Sequence, residues 1–127
     1  MSLTYTPAGL LNSPLPAFRL PSVDGKTYSQ QDFSEASVLV ILFICNHCPY
    51  VQAVEDRIVR LVHEFSSQNV AFVGICANDP ADYPEDAPAE LLKRWREKNY
   101  NFPYLIDESQ DVARAFDAVC TPDIYVY

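Results

Sequence analysis

From Ser37 to Ile44 the chain reads SVLVILFI, an uncharged run rich in β-branched side chains. A run this short and this continuous predicts a strand covered on both faces. Beyond Cys48 the period changes. Val51, Val54, Ile58, Leu61, Val62 and Phe65 recur at steps of three and four, with Gln52, Glu55, Asp56 and Arg60 between them. That spacing predicts a one-sided helix of roughly 16 residues with the charged positions facing water. NVAFVGICA, residues 69–77, is a second buried strand. Strand, helix and strand make a parallel βαβ unit, right-handed on general grounds.

The flanks are patterned more weakly. Residues 1–17 are proline-rich and polar and read as an arm. FRLPSVDGKTYS, residues 18–29, alternates around Asp24-Gly25 and predicts a β-hairpin. NDPADYPEDAP, residues 78–88, holds four acids and three prolines, too many for regular structure. Asp86 is expected to cap the helix that follows, with Pro88 in its first turn and Leu91, Leu92 and Trp95 inside. FPYLID is a short strand. Asp107 and Gln110 suggest a capping box for a short helix ending at Phe116. TPDIYVY, residues 121–127, is a final strand starting at a proline.

Composition narrows the function. The 127 residues suit one domain, and 49% apolar content builds a core. Nine basic against 17 acidic residues give a net charge of −8, which repels phosphate backbones and anionic lipid. Nucleic acid and membrane surfaces are therefore not expected partners. The first 20 residues lack a basic start followed by an apolar run, so the expected location is cytoplasmic, or periplasmic if an export signal has been removed.

Four cysteines at 45, 48, 76 and 120 are too unevenly spaced for a disulfide framework. Cys45-Asn46-His47-Cys48 stands where a buried strand gives way to a helix. It could be a redox pair, a metal clasp, a peroxide-reducing site or two small core residues. Position favours the redox pair. Reactive groups collect outside the carboxyl ends of strands, and the N–H groups of a helix start stabilise a thiolate. Cys45 is expected to cap the helix as the exposed nucleophile, with Cys48 shielded and resolving the mixed disulfide. A cationic His47 would lower the Cys45 pKa. Zinc needs four ligands, and only His47, His63, Cys76 and Cys120 remain to complete a set, so no metal and no cofactor is expected. Cys76 and Trp95 read as core, His63 as solvated, and Cys120 as a small residue close to the site.

With these residues in view, the chain resembles the thioredoxin superfamily. It is most similar to the redoxin-domain branch that groups peroxiredoxin-like AhpC/TSA proteins with TlpA-like thiol-disulfide oxidoreductases. PAFRLPSVDGKTYSQQDF, FICNHCPYV, NDPADYPEDAP and VCTPDIYVY carry the resemblance. It implies an α/β fold with a central mixed sheet flanked by helices and an N-terminal hairpin extension. It also implies a cis-proline opposite the cysteines, which Thr121-Pro122 matches 77 residues after Cys45. Cys45, Cys48, His47 and Pro122 are then the expected catalytic group, with Thr121, Asn46 and Tyr50 toward substrate. The implied partners are thiols and disulfides of proteins or small molecules, with peroxide as the alternative. A peroxidase motif PxxxTxxC would need threonine where Cys45 stands and a proline before it. Residues 40–44 contain none.

The proton acceptor that thioredoxins often keep on the central strand is missing from SVLVILFI. Water, Asp79 or Asp123 would have to serve. The resemblance also makes residues 1–127 a single domain cut short, with the closing strand and helix absent. Asp123–Tyr127 should then pair antiparallel with part of Val38–Ile44 and leave an open edge able to dimerise.

Overall fold

The structure, a computed structural model, describes residues 11–127; most of the proline-rich arm, residues 1–10, lies outside that range. Two strands, β1 (Arg19–Pro21) and β2 (Thr27–Ser29), form the expected antiparallel hairpin. Its turn needs a positive φ, and Gly25 supplies it at +89°. A four-residue 3-10 turn, Gln30–Phe33, leads to β3 (Val38–Phe43). Then follow α1 (Pro49–Glu64), β4 (Val70–Cys76), α2 (Pro88–Glu97), β5 (Tyr104–Ile106), α3 (Asp111–Phe116) and β6 (Asp123–Val126).

The main sheet has the order β5-β4-β3-β6. β3 runs parallel to β4, and β4 to β5, while β6 is antiparallel to β3 with Val40 opposite Val126 and Phe43 opposite Asp123. Alternation along β3 divides the core. Val40, Leu42 and Ile44 pack with Val51, Ile58 and Val62 of α1 and Leu91 of α2. Leu39, Ile41 and Phe43 pack with Val112, Ala113 and Phe116 of α3 and with Phe18 and Leu20 of the hairpin region. Gly74 permits the first of these packings. A Cβ there would meet Phe102 at 3.0 Å.

The two sheet edges differ. On the β5 side Ser22 bridges to Leu105, and the Val23 N–H donates to the Tyr104 carbonyl at 2.9 Å. On the other side β6 has β3 as its one strand neighbour among the described residues, and Ile124 and Val126 are 55% and 65% exposed. Among the described residues no helix is long and apolar enough to cross a membrane.

Three local expectations are corrected. Glu55, read as a water-facing position of α1, is buried, whereas Leu61 of the apolar set is exposed. Asp107 accepts the N–H groups of Val112 and Ala113, but Gln110 forms no capping box and donates to the Ala77 carbonyl instead. Asp86 does not cap α2. Pro88 opens that helix behind Ala87, and Asp86 turns away from it.

Candidate active site

Buried β3 ends at Phe43, and α1 starts at Pro49, so residues 44–48 form the junction at the carboxyl end of the central strands. Cys48 is the N-cap residue, in extended conformation, ahead of a proline whose missing N–H costs the first turn nothing. Cys45 therefore precedes the cap by three residues, and the expectation that it caps the helix is corrected. So is its exposure. Cys45 is 2% and Cys48 0% accessible, and both are thiols.

Both sulfurs meet the loop before β6. The Thr121–Pro122 peptide bond is cis. Cys45 Sγ lies 3.4 Å from Thr121 Oγ1, and Cys48 Sγ donates to the Thr121 carbonyl at 3.2 Å. Burial pushes the Cys45 thiol up to about 11 from an ordinary 9.0. The Thr121 hydroxyl opposes that rise, and the negative charge of Asp86 adds to it. The helix start does not make Cys45 a low-pKa thiol, because desolvation outweighs it.

Asp86 is the residue that sequence reasoning assigned elsewhere. It is 1% exposed. Its Oδ1 accepts the backbone N–H of Asn46 at 2.6 Å and that of His47 at 3.3 Å. Its Oδ2 accepts Asn78 Nδ2 at 3.0 Å and pairs with His47 Nδ1. Nitrogen atoms of Asn46, His47 and Asn78 thus converge on both oxygens. The rest of the motif is tied down as well. Asn46 Nδ2 donates to the carbonyls of Glu85 and Glu90, and Gln52 Nε2 donates to the Asn46 carbonyl. The His47 ring stacks on Tyr83 with centroids 4.2 Å apart and planes within 6°.

Of the remaining candidates, Tyr50 and Cys120 line a cavity of about 610 Å³ together with His47, Tyr83, Thr121 and Pro122. Cys76 is core, and burial pushes its thiol up to about 12. His63 is exposed on α1. Trp95 is packed against the core, its indole N–H donating to the Phe102 carbonyl at 2.8 Å. Neither acid named as an alternative base resembles Asp86 in its contacts. Asp79 closes an exposed turn on the Ala81 N–H, and buried Asp123 accepts the Tyr125 hydroxyl.

The metal arithmetic made from the sequence also changes. Cys45 Sγ, a His47 ring nitrogen and an Asp86 oxygen lie within 4.8 Å of one another, close enough to share an ion. His63, Cys76 and Cys120 are not part of that group.

The comparisons with known proteins bear on family and fold. No curated protein matches the chain. Among solved structures, an uncharacterized conserved protein from Geobacillus kaustophilus is 45% identical with a TM-score of 0.88, covering 91% of this chain and 61% of its own. A hypothetical protein from Sinorhizobium meliloti is 32% identical with a TM-score of 0.92, covering 94% and 66%. The chain thus spans less than two thirds of either relative. A thiol:disulfide interchange protein of the thioredoxin family from Chlorobium tepidum, 20% identical with a TM-score of 0.76 over 94% of this chain and 80% of its own, shares the fold. The AhpC/TSA family profile matches residues 11–127, and with its thioredoxin-like architecture the chain belongs to the AhpC/TSA family.

Proposed function

We propose that this chain is a thiol-disulfide oxidoreductase that works as a reductant. The observation that carries the reading is the convergence of both sulfurs on Thr121, with Cys45 at its hydroxyl and Cys48 at its carbonyl. In this reading Cys45 attacks a substrate disulfide and Cys48 then displaces the substrate from Cys45. Thr121 and Pro122 hold the substrate strand, while Asn46 and Tyr50 shape its approach. The raised Cys45 pKa supports the direction. Oxidising pairs stabilise the thiolate of their reduced form, with nucleophile pKa values far below the ordinary range, and Cys45 lies on the opposite side of it.

Reduction of an insulin disulfide in the presence of dithiothreitol tests the reading. The wild-type chain should accelerate it. Cys45→Ser should lose the acceleration entirely, and Cys48→Ser should instead accumulate a mixed disulfide on Cys45. Full activity in Cys45→Ser would sink the assignment. Consumption of peroxide at a rate exceeding disulfide exchange would favour a peroxidase.

A further inference from the structure

We propose that His47 is the general base of the exchange reaction, taking the Cys45 proton as that sulfur attacks, and that Asp86 is the residue that positions it. The proposal rests on the exchange reading above and supplies the proton acceptor that the central strand lacks.

Burial creates the need for a base. A thiol held at about 11 is ionised in only about one molecule in ten thousand at pH 7. The thiolate is the nucleophile, so unassisted attack draws on that small fraction. Cys45 Sγ, a His47 ring nitrogen and an Asp86 oxygen lie within 4.8 Å of one another. One water spans such a gap between sulfur and ring, and His47 lines the cavity beside Thr121 and Pro122. The ring is held on two sides. Its Nδ1 pairs with Asp86 Oδ2, and Tyr83 covers one face at 4.2 Å. An ionised carboxylate only accepts hydrogen bonds. In the assigned state Asp86 is ionised, Nδ1 carries the hydrogen shared with Oδ2, and Nε2 keeps the lone pair that takes the proton. Nucleophile, base and orienting acid then stand in the order that activates hydroxyl and thiol nucleophiles elsewhere. Cys48 is outside this cluster and donates to the Thr121 carbonyl, so the base serves Cys45.

The other charges around the ring are farther from this role. Tyr50, Arg114 and Cys120 line the same cavity, and Arg114 is paired with Asp111. On its other side His47 shares a groove with Glu85, Glu90, Lys93, Arg94 and Glu97. Among all these acids and Asp86, Asp86 is the one hydrogen-bonded to the ring. Its charge has two effects of opposite sign. It disfavours a bare thiolate at Cys45, and it stabilises the imidazolium that forms when the proton moves to His47.

The step balances with a substrate R–S–S–R′. The Cys45 proton passes to Nε2 as the Cys45 sulfur bonds to the sulfur of R. The electron pair of the substrate bond goes to the sulfur of R′, which recovers the proton from the imidazolium and leaves as R′–SH. Cys48 then bonds to Cys45, and R–SH leaves with the Cys48 proton. The protein has lost two electrons and two protons, and His47 ends as it began.

The experiment follows glutathione disulfide forming a mixed disulfide on Cys45 in the full chain carrying Cys48→Ser, from pH 5 to 10. Peptide mass spectrometry separates Cys45 from Cys76 and Cys120. With His47 present the rate should climb as the imidazole loses its proton between about pH 5 and 8, level off, and climb again as free thiolate accumulates. His47→Gln should be slower by about 100-fold at pH 7, rise about tenfold per pH unit, and meet the parent near pH 10. Free imidazole should speed His47→Ala and leave the parent unchanged. Asp86→Asn should be about tenfold slower at pH 7 even though its Cys45 pKa falls. A charge acting on the thiolate alone would make that variant faster, and a structural role would slow every variant equally at all pH values. Either outcome overturns the proposal, as does a His47→Gln profile of the parent's shape. If the parent shows the expected profile but the chain with both cysteines fails to reduce insulin, the oxidoreductase reading falls and the role of His47 stands.

Discussion

Glu55 and Asp86 are both buried carboxylates, and they solve the same physical problem in opposite ways. Glu55 on α1 is met by the Arg94 guanidinium through two hydrogen bonds, by Lys98 Nζ at 3.6 Å and by the Tyr100 hydroxyl at 2.9 Å. Two cations, one of them permanently charged, cancel its field where it stands. Asp86 is met by amide dipoles and by one imidazole. Amides pay for desolvation without cancelling charge, so the field of Asp86 reaches its neighbours. One arrangement glues two helices together, and the other acts on a thiol.

The largest effect that would break this contrast is one of stability. Glu55→Gln leaves Arg94 and Lys98 facing a neutral group. We expect a loss of about 3 kcal/mol in urea unfolding, at the low end for a broken buried pair because both cations reach solvent. The glutathione equilibrium of the cysteines should not change. Asp86→Asn should show the reverse, with a stability loss of about 1–2 kcal/mol for weakened hydrogen bonds and a lower Cys45 pKa in a thiolate titration. If Glu55→Gln moved the Cys45 titration as much as Asp86→Asn, the distinction would collapse.

A pH experiment sharpens the comparison from the cysteine side. Cys45 and Cys76 are raised to about 11 and about 12 from 9.0, with burial the first cause in each. A raised acid binds its proton more tightly in the folded state. The stability it contributes is complete below pH 9 and is lost as pH climbs through 11 and 12. The melting temperature should therefore fall across that alkaline window, and Cys76→Ala should make the fall shallower. A flat profile would mean that the interior around these thiols is wetter than their burial implies.

The smallest effect concerns the ring that covers His47. Tyr83 is 43% exposed, so Tyr83→Leu should cost only about 0.5 kcal/mol, the low end for an aromatic pair. It should leave the Cys45 titration nearly unmoved, because Asp86, not Tyr83, fixes the imidazole. A large movement in the titration would transfer the positioning role to the stack.

Periodicity made most of the fold legible. β3, α1 and β4 are long patterned segments, and the antiparallel pairing of residues 123–127 with β3 followed from the family resemblance. The site was legible where its residues are neighbours in sequence, as in Cys45-Asn46-His47-Cys48. Asp86 was not, because a carboxylate just before a proline-led helix has an obvious local use as a cap. Its partners in the cysteine motif lie 39 and 40 residues away, and no local period encodes them. Glu55 was misread for a related reason. A charge between apolar positions normally faces water, and only the arrival of α2 with Arg94 makes its burial tolerable. The Cys45 environment failed differently. The rule about helix starts was sound, but the helix begins beyond Cys48, and the strand end buries Cys45 before any dipole can favour its thiolate.

Helix α2 begins at Pro88, two residues beyond Asp86, and carries the Arg94 clasp farther along its length. It can be viewed as a lever with its fulcrum on α1. From the Arg94 clasp back to Pro88 the arm is about 9 Å long, and the short segment before Pro88 leaves little slack at the tip. A displacement of one helical turn, about 5.4 Å, would carry the carboxylate out of hydrogen-bond range of the Asn46 and His47 amides. Side-chain volume changes between α1 and α2, remote from either sulfur, thereby become a mechanical adjustment of the distance between Asp86 and Cys45.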